Sequence, residues 1–334
     1  MEEKEYTGVL VFAEQKKGDI HKVAYELLGK GKTLADKLNC SLMAVVLGHP
    51  DINVKELVYR GADKVYHIED EMIFSVPDEV VYAENLVELI KDIKPEICLF
   101  GATTFGRSLA PRVAAVLETG LTADCTDLSI DDDMKLIQIR PAFSENILAH
   151  IKSDNYPQMA TVRYKEFDEA DRDETNTGEI IKINALKSGN SLVEVIEEIS
   201  NENINIADAD VVVSAGVGIK STEDLKMIQE LALLLGGEVG ASRALVETGI
   251  LSKSHQVGYS GNRVKPKIYI ACGISGAPQH LAGMKESGII IAINNDPSAP
   301  IFKVADYSIV GDIYKIIPEL IETIKNEELR VKNY

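Results

Sequence analysis

Positive charge is scarce in this chain of 334 residues, in which 35 lysines and arginines stand against 53 aspartates and glutamates and leave a net charge of −18. Nucleic-acid phosphates are bound by clustered lysine and arginine, so this deficit argues against a nucleic-acid partner. Long apolar runs are also missing, and the longest, such as 9–13 and 289–293, are too short to cross a bilayer. The acidic, polar N-terminus resembles neither a signal peptide nor a transit peptide, so we expect a cytoplasmic protein without membrane insertion.

Cysteine pairs and catalytic clusters are absent from the sequence as well. The four cysteines are scattered, with no C-x-x-C pair and no histidine at ligand spacing. We therefore expect no disulfide, no metal site and no iron–sulfur cluster. A complete G-x-G-x-x-G motif is missing, because Gly216, Val217 and Gly218 form only half of one, and no Ser/His/Asp cluster suggests catalytic residues.

The apolar pattern predicts an α/β protein of two domains, since 334 residues exceed what one core usually supports. Continuous apolar strands alternate with helical patterns over the first hundred residues and again from Asp208, which is typical of mostly parallel sheets covered by helices. Short strands at 128–130, 135–140, 147–152 and 158–163 indicate an antiparallel extension of the first sheet. We place the N-terminal domain at 1–204, with a linker at about 167–207 that includes a helix at 191–199, and the second domain at 205–334.

Glycines and polar residues follow three predicted strands of the second domain. A Gly-x-Ser-Gly turn at 273–276 comes after a buried strand and leads into a predicted helix at 277–284, which is a suitable cradle for phosphate. Asn294 and Asp312 follow the next two strands, and the carboxyl ends of parallel strands meet at one edge of a sheet. The combination suits a nucleotide with a ribose, although each residue alone is equally consistent with a turn or a helix cap.

The segment 267–312 closely resembles the FAD-binding signature of electron-transfer flavoprotein alpha subunits, and the likeness extends over the rest of the chain. The matching residues in the segment include Tyr269, Ile270, Ala271, Gly273, Ile274, Ser275, Gly276, Gln279, His280, Gly283, Ala292, Ile293 and Asn294. The resemblance implies a Rossmann-like FAD-binding domain with one FAD as cofactor.

The same resemblance implies a role for each matching residue. Near the isoalloxazine ring it puts Ser242, with Arg243 over the ring, the Ser260 hydroxyl at N5 and His280 beside the N1/C2=O edge. A guanidinium and an imidazole there would favour negative charge on the reduced ring. The other implied contacts are Gln256, Val257, Gly258 and Tyr259 along the ring and diphosphate, Ser275, Gly276 and Ala277 at the diphosphate, Gln279 at the ribityl–phosphate region, and Asn294 and Asp312 at the adenosine half.

The chain departs from the family pattern at a few positions. Val217 stands where the family usually has an arginine, which removes one positive charge near the cofactor. Tyr259 and Ser260 replace the usual Gln-Thr, and Ser108 replaces an aspartate after Arg107. At 144–145 the chain has Ser-Glu where the family has Gly-Gly. These differences bear on redox tuning and partner geometry.

The function that the resemblance implies is electron transfer rather than stand-alone catalysis. Such a subunit forms a heterodimer with an electron-transfer flavoprotein beta subunit, contacted here by the N-terminal domain, and exchanges electrons with an acyl-CoA dehydrogenase-type flavoprotein. The sequence leaves open whether the complex bifurcates electrons and whether the beta subunit holds FAD or AMP. The competing hypotheses are a nicotinamide-dependent flavin oxidoreductase with its own substrate site, and a sensor of AMP or a sugar nucleotide.

Overall fold

A computed structural model describes residues 5–142, 147–186 and 206–331 of the chain. The chain divides into two compact units, residues 1–197 and 198–334. Each unit contains a parallel sheet covered by helices, so the predicted α/β class is confirmed. The helix predicted at 191–199 lies outside the described residues.

The first unit is built on a seven-stranded sheet in which all neighbouring strands are parallel. Seven strands of the unit form this sheet, and the others form smaller sheets. The strands of the unit are β1 Val9–Phe12, β2 Gln15–Lys16, β3 Asp19–Ile20, β4 Leu42–Gly48, β5 Lys64–Glu69, β6 Ile97–Gly101, β7 Leu121–Cys125, β8 Asp127–Ile130, β9 Leu136–Ala142, β10 Ile147–Ile151, β11 Gln158–Val162 and β12 Glu179–Asn184. Its helices are α1 Lys22–Leu38, α2 Lys55–Tyr59, α3 Glu79–Ile93 and α4 Thr104–Val116. The order in the main sheet is β12-β5-β4-β1-β6-β11-β7.

Apolar layers cover both faces of this main sheet. His21 caps the N-terminus of helix α1, and its side chain accepts a hydrogen bond from the Val23 amide. The helix buries Leu27 and Leu28 on one face of the sheet. Helices α3 and α4 bury Leu86 and Leu109 on the other face. Because helices cover both faces of the sheet, the central strands are apolar along their whole length.

The predicted antiparallel extension of the first sheet is wrong. Strand β11 lies inside the main sheet, parallel to β6 and β7, while β8, β9 and β10 form a separate three-stranded antiparallel sheet. All five residues of β11 are buried, as a strand covered on both faces requires, whereas β10 is exposed or half-buried along its length. Burial of every residue, rather than of alternate residues, distinguishes β11 from a strand of the antiparallel sheet such as β10.

Part of the predicted linker belongs to the first unit. Strand β12 pairs with β5 in parallel along its whole length. Before it, the backbone amide of Ala170 donates to the Tyr25 carbonyl at 2.9 Å, and that of Asp173 donates to the Tyr59 carbonyl at 2.9 Å. The acidic composition of 167–178 suggested a linker, but main-chain hydrogen bonds attach this segment to the helices beside it.

The second unit contains a five-stranded parallel sheet of order β14-β13-β15-β16-β17. Its strands are β13 Val211–Ala215, β14 Glu238–Ala241, β15 Ile268–Cys272, β16 Ile289–Asn294 and β17 Tyr307–Val310. Its helices are α5 Thr222–Leu234, α6 Arg243–Glu247, α7 Pro278–Leu281 and α8 Ile313–Val331. Over the described ranges of both units, no helix is long and apolar enough to cross a membrane.

Candidate functional site

The strand order of the second sheet predicts a crevice, at a topological switch point, at the carboxyl ends of β13 and β15. These strands are neighbours, but the chain leaves β13 toward β14 on one side and leaves β15 toward β16 on the other. Connections that diverge in this way open a gap at the sheet edge, which is where open α/β sheets bind ligands. The residues that follow the strands on either side therefore define the candidate site.

Two glycine turns meet in this crevice. The amide of Gly216, after β13, donates to the Cys272 carbonyl at 2.8 Å. A Cβ on Gly216 would lie 2.1 Å from the Gly273 carbonyl oxygen, and Gly273 has a φ of +64°. Only hydrogen fits between the two turns, so main chain rather than side chains lines this part of the crevice. Val217 projects from the middle of the first turn and is exposed.

The predicted phosphate cradle is a loop rather than a helix end. Ile301 donates its amide hydrogen to the Ser275 carbonyl at 3.0 Å, and Gly276 has a φ of +87° with no room for a Cβ against the Ile301 backbone. The helix predicted at 277–284 is the single turn α7, with Ala277 at its cap. One turn carries only a small dipole, so the favourable helix field assumed from the sequence is weak here.

The segment 256–262 packs against this cradle. The Val257 amide donates to the Ala241 carbonyl at 2.9 Å, which fixes the segment to the end of β14. The Tyr259 amide donates to the Gln279 carbonyl at 2.7 Å, and a Cβ on Gly258 would lie 2.9 Å from that same carbonyl. The structure thus brings Val257, Gly258, Tyr259 and Gln279 together.

His280 is a buried and neutral imidazole. Its Nε2 lies 2.9 Å from the Tyr269 hydroxyl, and its Nδ1 has no hydrogen-bond partner of ordinary geometry among the described residues. Burial lowers the pKa of His280 to about 4, and the Val257 carbonyl only partly offsets that fall. At neutral pH His280 therefore contributes an N–H dipole and no positive charge. A buried ring nitrogen without a partner is a group that a ligand atom could satisfy.

Ser242 and Arg243 follow β14 at the same edge of the sheet. The Ser242 hydroxyl caps α6 by accepting from the Leu245 amide at 3.3 Å. The Arg243 Nε lies 2.8 Å from the Glu247 Oε1, and both side chains are mostly exposed. An exposed pair one turn apart is worth little, so the guanidinium can turn from Glu247 to another anion.

Asn294 and Asp312 both make local structural hydrogen bonds. The Asn294 side chain donates to the Ile274 carbonyl at 2.9 Å and accepts from the Asp296 amide at 2.9 Å, which ties the end of β16 to the glycine turn. The Asp312 carboxylate accepts from the Tyr314 amide at 3.0 Å at the start of α8. The turn and cap interpretations of these residues therefore hold, and any ligand contact would be additional.

Two features of the site escaped the sequence analysis. Glu247 partners Arg243, and Tyr269 was noted only as part of the signature, although its hydroxyl orients His280. The pairing of Arg243 with Glu247 could have been predicted, because an acidic residue four positions after an arginine on a helix lies beside it. Within the described ranges, no group of three or more His, Cys, Asp or Glu side chains could hold a metal ion.

A parallel sheet with glycine turns at its switch point and polar residues at its carboxyl edge is the architecture of nucleotide-binding α/β proteins. Comparison with known families agrees. Residues 9–188 match the model described as electron transfer flavoprotein domain, and residues 205–285 match the electron transfer flavoprotein FAD-binding domain.

Similar proteins align over almost the whole chain. An electron transfer flavoprotein subunit alpha of Thermoanaerobacterium thermosaccharolyticum is 49% identical, covering 96% of this chain and 98% of that protein. The subunit of the same name from Clostridium acetobutylicum is 46% identical, covering 97% and 99%. Subunit LctC of the lactate dehydrogenase (NAD(+),ferredoxin) of Acetobacterium woodii is 43% identical, covering 97% and 78%. The chain belongs to the electron transfer flavoprotein alpha subunit family.

Proposed function

We propose that the second unit binds one FAD non-covalently at the carboxyl edge of its sheet and that the chain transfers electrons as part of a heterodimer. The observation that carries this proposal is the contact between the glycine turns at Gly216 and Gly273, which leaves bare main chain at the switch point. Dinucleotide diphosphates bind where backbone amides can approach them closely. When bound, FAD supplies one- and two-electron transfer.

The residues around the crevice would have distinct tasks. The loop of Ser275 and Gly276 would face the diphosphate with backbone groups. Arg243 would exchange its exposed Glu247 partner for the electron-rich edge of the ring. His280 would present a neutral imidazole to the ring, held in place by the Tyr269 hydroxyl at Nε2. A neutral donor stabilises negative charge less than a cation would, so Arg243 would supply the main electrostatic stabilisation.

The partners follow from the family. We propose a beta subunit as the obligate partner and an acyl-CoA dehydrogenase-type flavoprotein as the electron partner. The name of the Acetobacterium woodii relative, a lactate dehydrogenase using NAD(+) and ferredoxin, supports a wider choice of dehydrogenase and supports bifurcation as an activity of the complex.

Co-expression with the beta subunit encoded in the same organism tests the proposal. We expect a yellow heterodimer with a second chain of about 25–30 kDa, the size that the family implies, burying an obligate interface. FAD should be released on denaturation, and dye reduction by a small-molecule substrate should begin only when a partner dehydrogenase is added. A colourless heterodimer, or turnover of small molecules without a partner, would overturn it.

Substitutions of Asp312 separate a role at the adenosine half of FAD from its role as a helix cap. Asp312→Ala should weaken FAD binding about tenfold, because a hydrogen bond to a charged group is lost, and should destabilise α8 by about 1 kcal/mol. Asp312→Ser keeps a capping oxygen but lacks the carboxylate, so it should weaken FAD binding without that destabilisation. Fluorescence titration of the heterodimer with FAD, beside urea denaturation, provides the measurement. Normal FAD affinity in Asp312→Ser would limit this residue to capping.

A further inference from the structure

We infer that Gln256 is a positioning residue that orients the Ser260 hydroxyl so that its hydrogen points into the ligand crevice. This inference rests on the proposed function, because the group that would receive the hydrogen is the bound flavin ring. It adds a residue that acts through Ser260 and need not touch the cofactor with its side chain.

The hydrogen-bond pattern sets the direction of the Ser260 hydroxyl. The Gln256 side chain is buried, and its Nε2 donates to the Ser260 Oγ at 3.1 Å. Ser260 itself is exposed at the surface of the loop. A serine hydroxyl has one hydrogen and two lone pairs, and an amide N–H that donates to it occupies one lone pair. The hydroxyl hydrogen is then donated to a different group, and only one lone pair is left to accept. Gln256 therefore favours Ser260 as a donor toward the exposed side.

The main chain around this contact is tightly held. The Gln256 carbonyl accepts from the Asn262 amide at 2.7 Å, and the Gly258 amide donates to the Asn262 carbonyl at 3.1 Å. A Cβ on Gly261 would lie 2.4 Å from the Gln256 carbonyl oxygen, so the loop is closed on itself. The loop cannot reorient Ser260 by a large movement, which leaves the Gln256 amide to select among the rotations of its hydroxyl.

The orientation of the hydroxyl has a redox consequence. The ring nitrogen N5, to which the family resemblance assigns Ser260, accepts hydrogen bonds in oxidised flavin and carries a hydrogen after reduction by two electrons and a proton. A hydroxyl held as a donor suits the oxidised ring. Gln256 thereby holds the two-electron potential of the site lower than a freely rotating serine would.

The test is a double-mutant cycle on the midpoint potential of the purified heterodimer, followed by visible absorbance in a redox titration. Gln256→Leu should change the relative affinity for oxidised and reduced flavin about tenfold, the effect of one hydrogen bond. For a two-electron couple this raises the potential by about 30 mV. In the Ser260→Ala background Gln256→Leu should cause no further change, and in the Ser260→Thr background, which keeps the hydroxyl, the rise should return.

A second substitution covers the case in which Gln256→Leu does not fold. Gln256→Glu has nearly the same size but presents a carboxylate oxygen that accepts from Ser260, and the effect of its charge on the flavin appears in both backgrounds. The shift in midpoint potential caused by Gln256→Glu should therefore still differ between the chain with Ser260 and the chain with Ser260→Ala. Equal shifts in the two backgrounds for either variant would overturn the inference. A wild-type heterodimer without flavin would instead overturn the proposed function.

Discussion

Replacing Gly216 by alanine is expected to separate the ends of β13 and β15 and to abolish flavin binding. The new Cβ would lie 2.1 Å from the Gly273 carbonyl oxygen and 2.8 Å from the Ile274 amide nitrogen. Both are main-chain atoms in the crevice, so no side-chain rotation can relieve the overlap. Overpacking of this severity should cost about 3 kcal/mol or more. Urea denaturation of the chain and the flavin content of the heterodimer measure the two effects.

Two alanine variants in the same unit serve as controls. A Cβ on Gly218 would meet the flexible end of Ile313 at 3.1 Å and the Gly273 Cα at 3.2 Å, both far looser than the 2.1 Å contact at Gly216, so Gly218→Ala should be tolerated far better. Gly249 has a φ of +80° and open space around it, so Gly249→Ala measures backbone strain alone, about 1 kcal/mol. If Gly216→Ala retained flavin and matched Gly218→Ala in stability, the two glycine turns could not be in close contact as described.

The first unit should lose stability as the pH rises through about 8, because of the buried carboxyl of Glu26. Burial raises the pKa of Glu26 from 4.5 to about 8, against the opposing effect of backbone hydrogen bonds from Lys165 and Phe167. The Lys165 amide lies 2.8 and 3.1 Å from the two carboxylate oxygens. Because the folded pKa exceeds the unfolded one, the stabilisation is complete below about pH 4.5 and is lost between there and about pH 8.

Glu26→Gln should remove this pH dependence. Glutamine keeps a neutral acceptor for the backbone amides, so the variant should exceed the wild type in stability above pH 8 by up to roughly 5 kcal/mol, the equivalent of the pKa shift. Urea denaturation of the full chain from pH 5 to 9 gives the comparison. Glu88→Gln, at an exposed position of α3, controls for the loss of one negative charge. Parallel stability curves for wild type and Glu26→Gln would contradict the prediction.

Apolar patterns were sufficient for most elements of the fold. The strands predicted at 128–130, 147–152 and 158–163 lie within one residue of the observed bounds, since polar turns separate them. The direction of β11 was not predictable in the same way, because it depends on which strands lie beside it. The burial of Glu26 was also hidden, since glutamate is normally exposed and its partner Lys165 lies 139 residues away.

The position of the candidate residues at one edge of the sheet was predictable, but their side-chain contacts were not. Parallel strands bring their carboxyl ends to one edge, so residues such as Asn294 and Asp312 could be assigned there from spacing alone. The pairing of Arg243 with Glu247 and the orientation of His280 by Tyr269 depend on side-chain rotamers, which spacing does not specify.

Strand β12 gives the first unit a fixed order of assembly during synthesis. Its Lys182 bonds to Glu69 of β5 across 113 residues of chain, so the edge of the sheet at β5 stays open until the ribosome has released residue 184. Long-range parallel pairings of this type form slowly, and an open strand edge can pair with another chain in the meantime. We therefore expect a nascent chain to be most prone to aggregate between the emergence of β5 and that of β12.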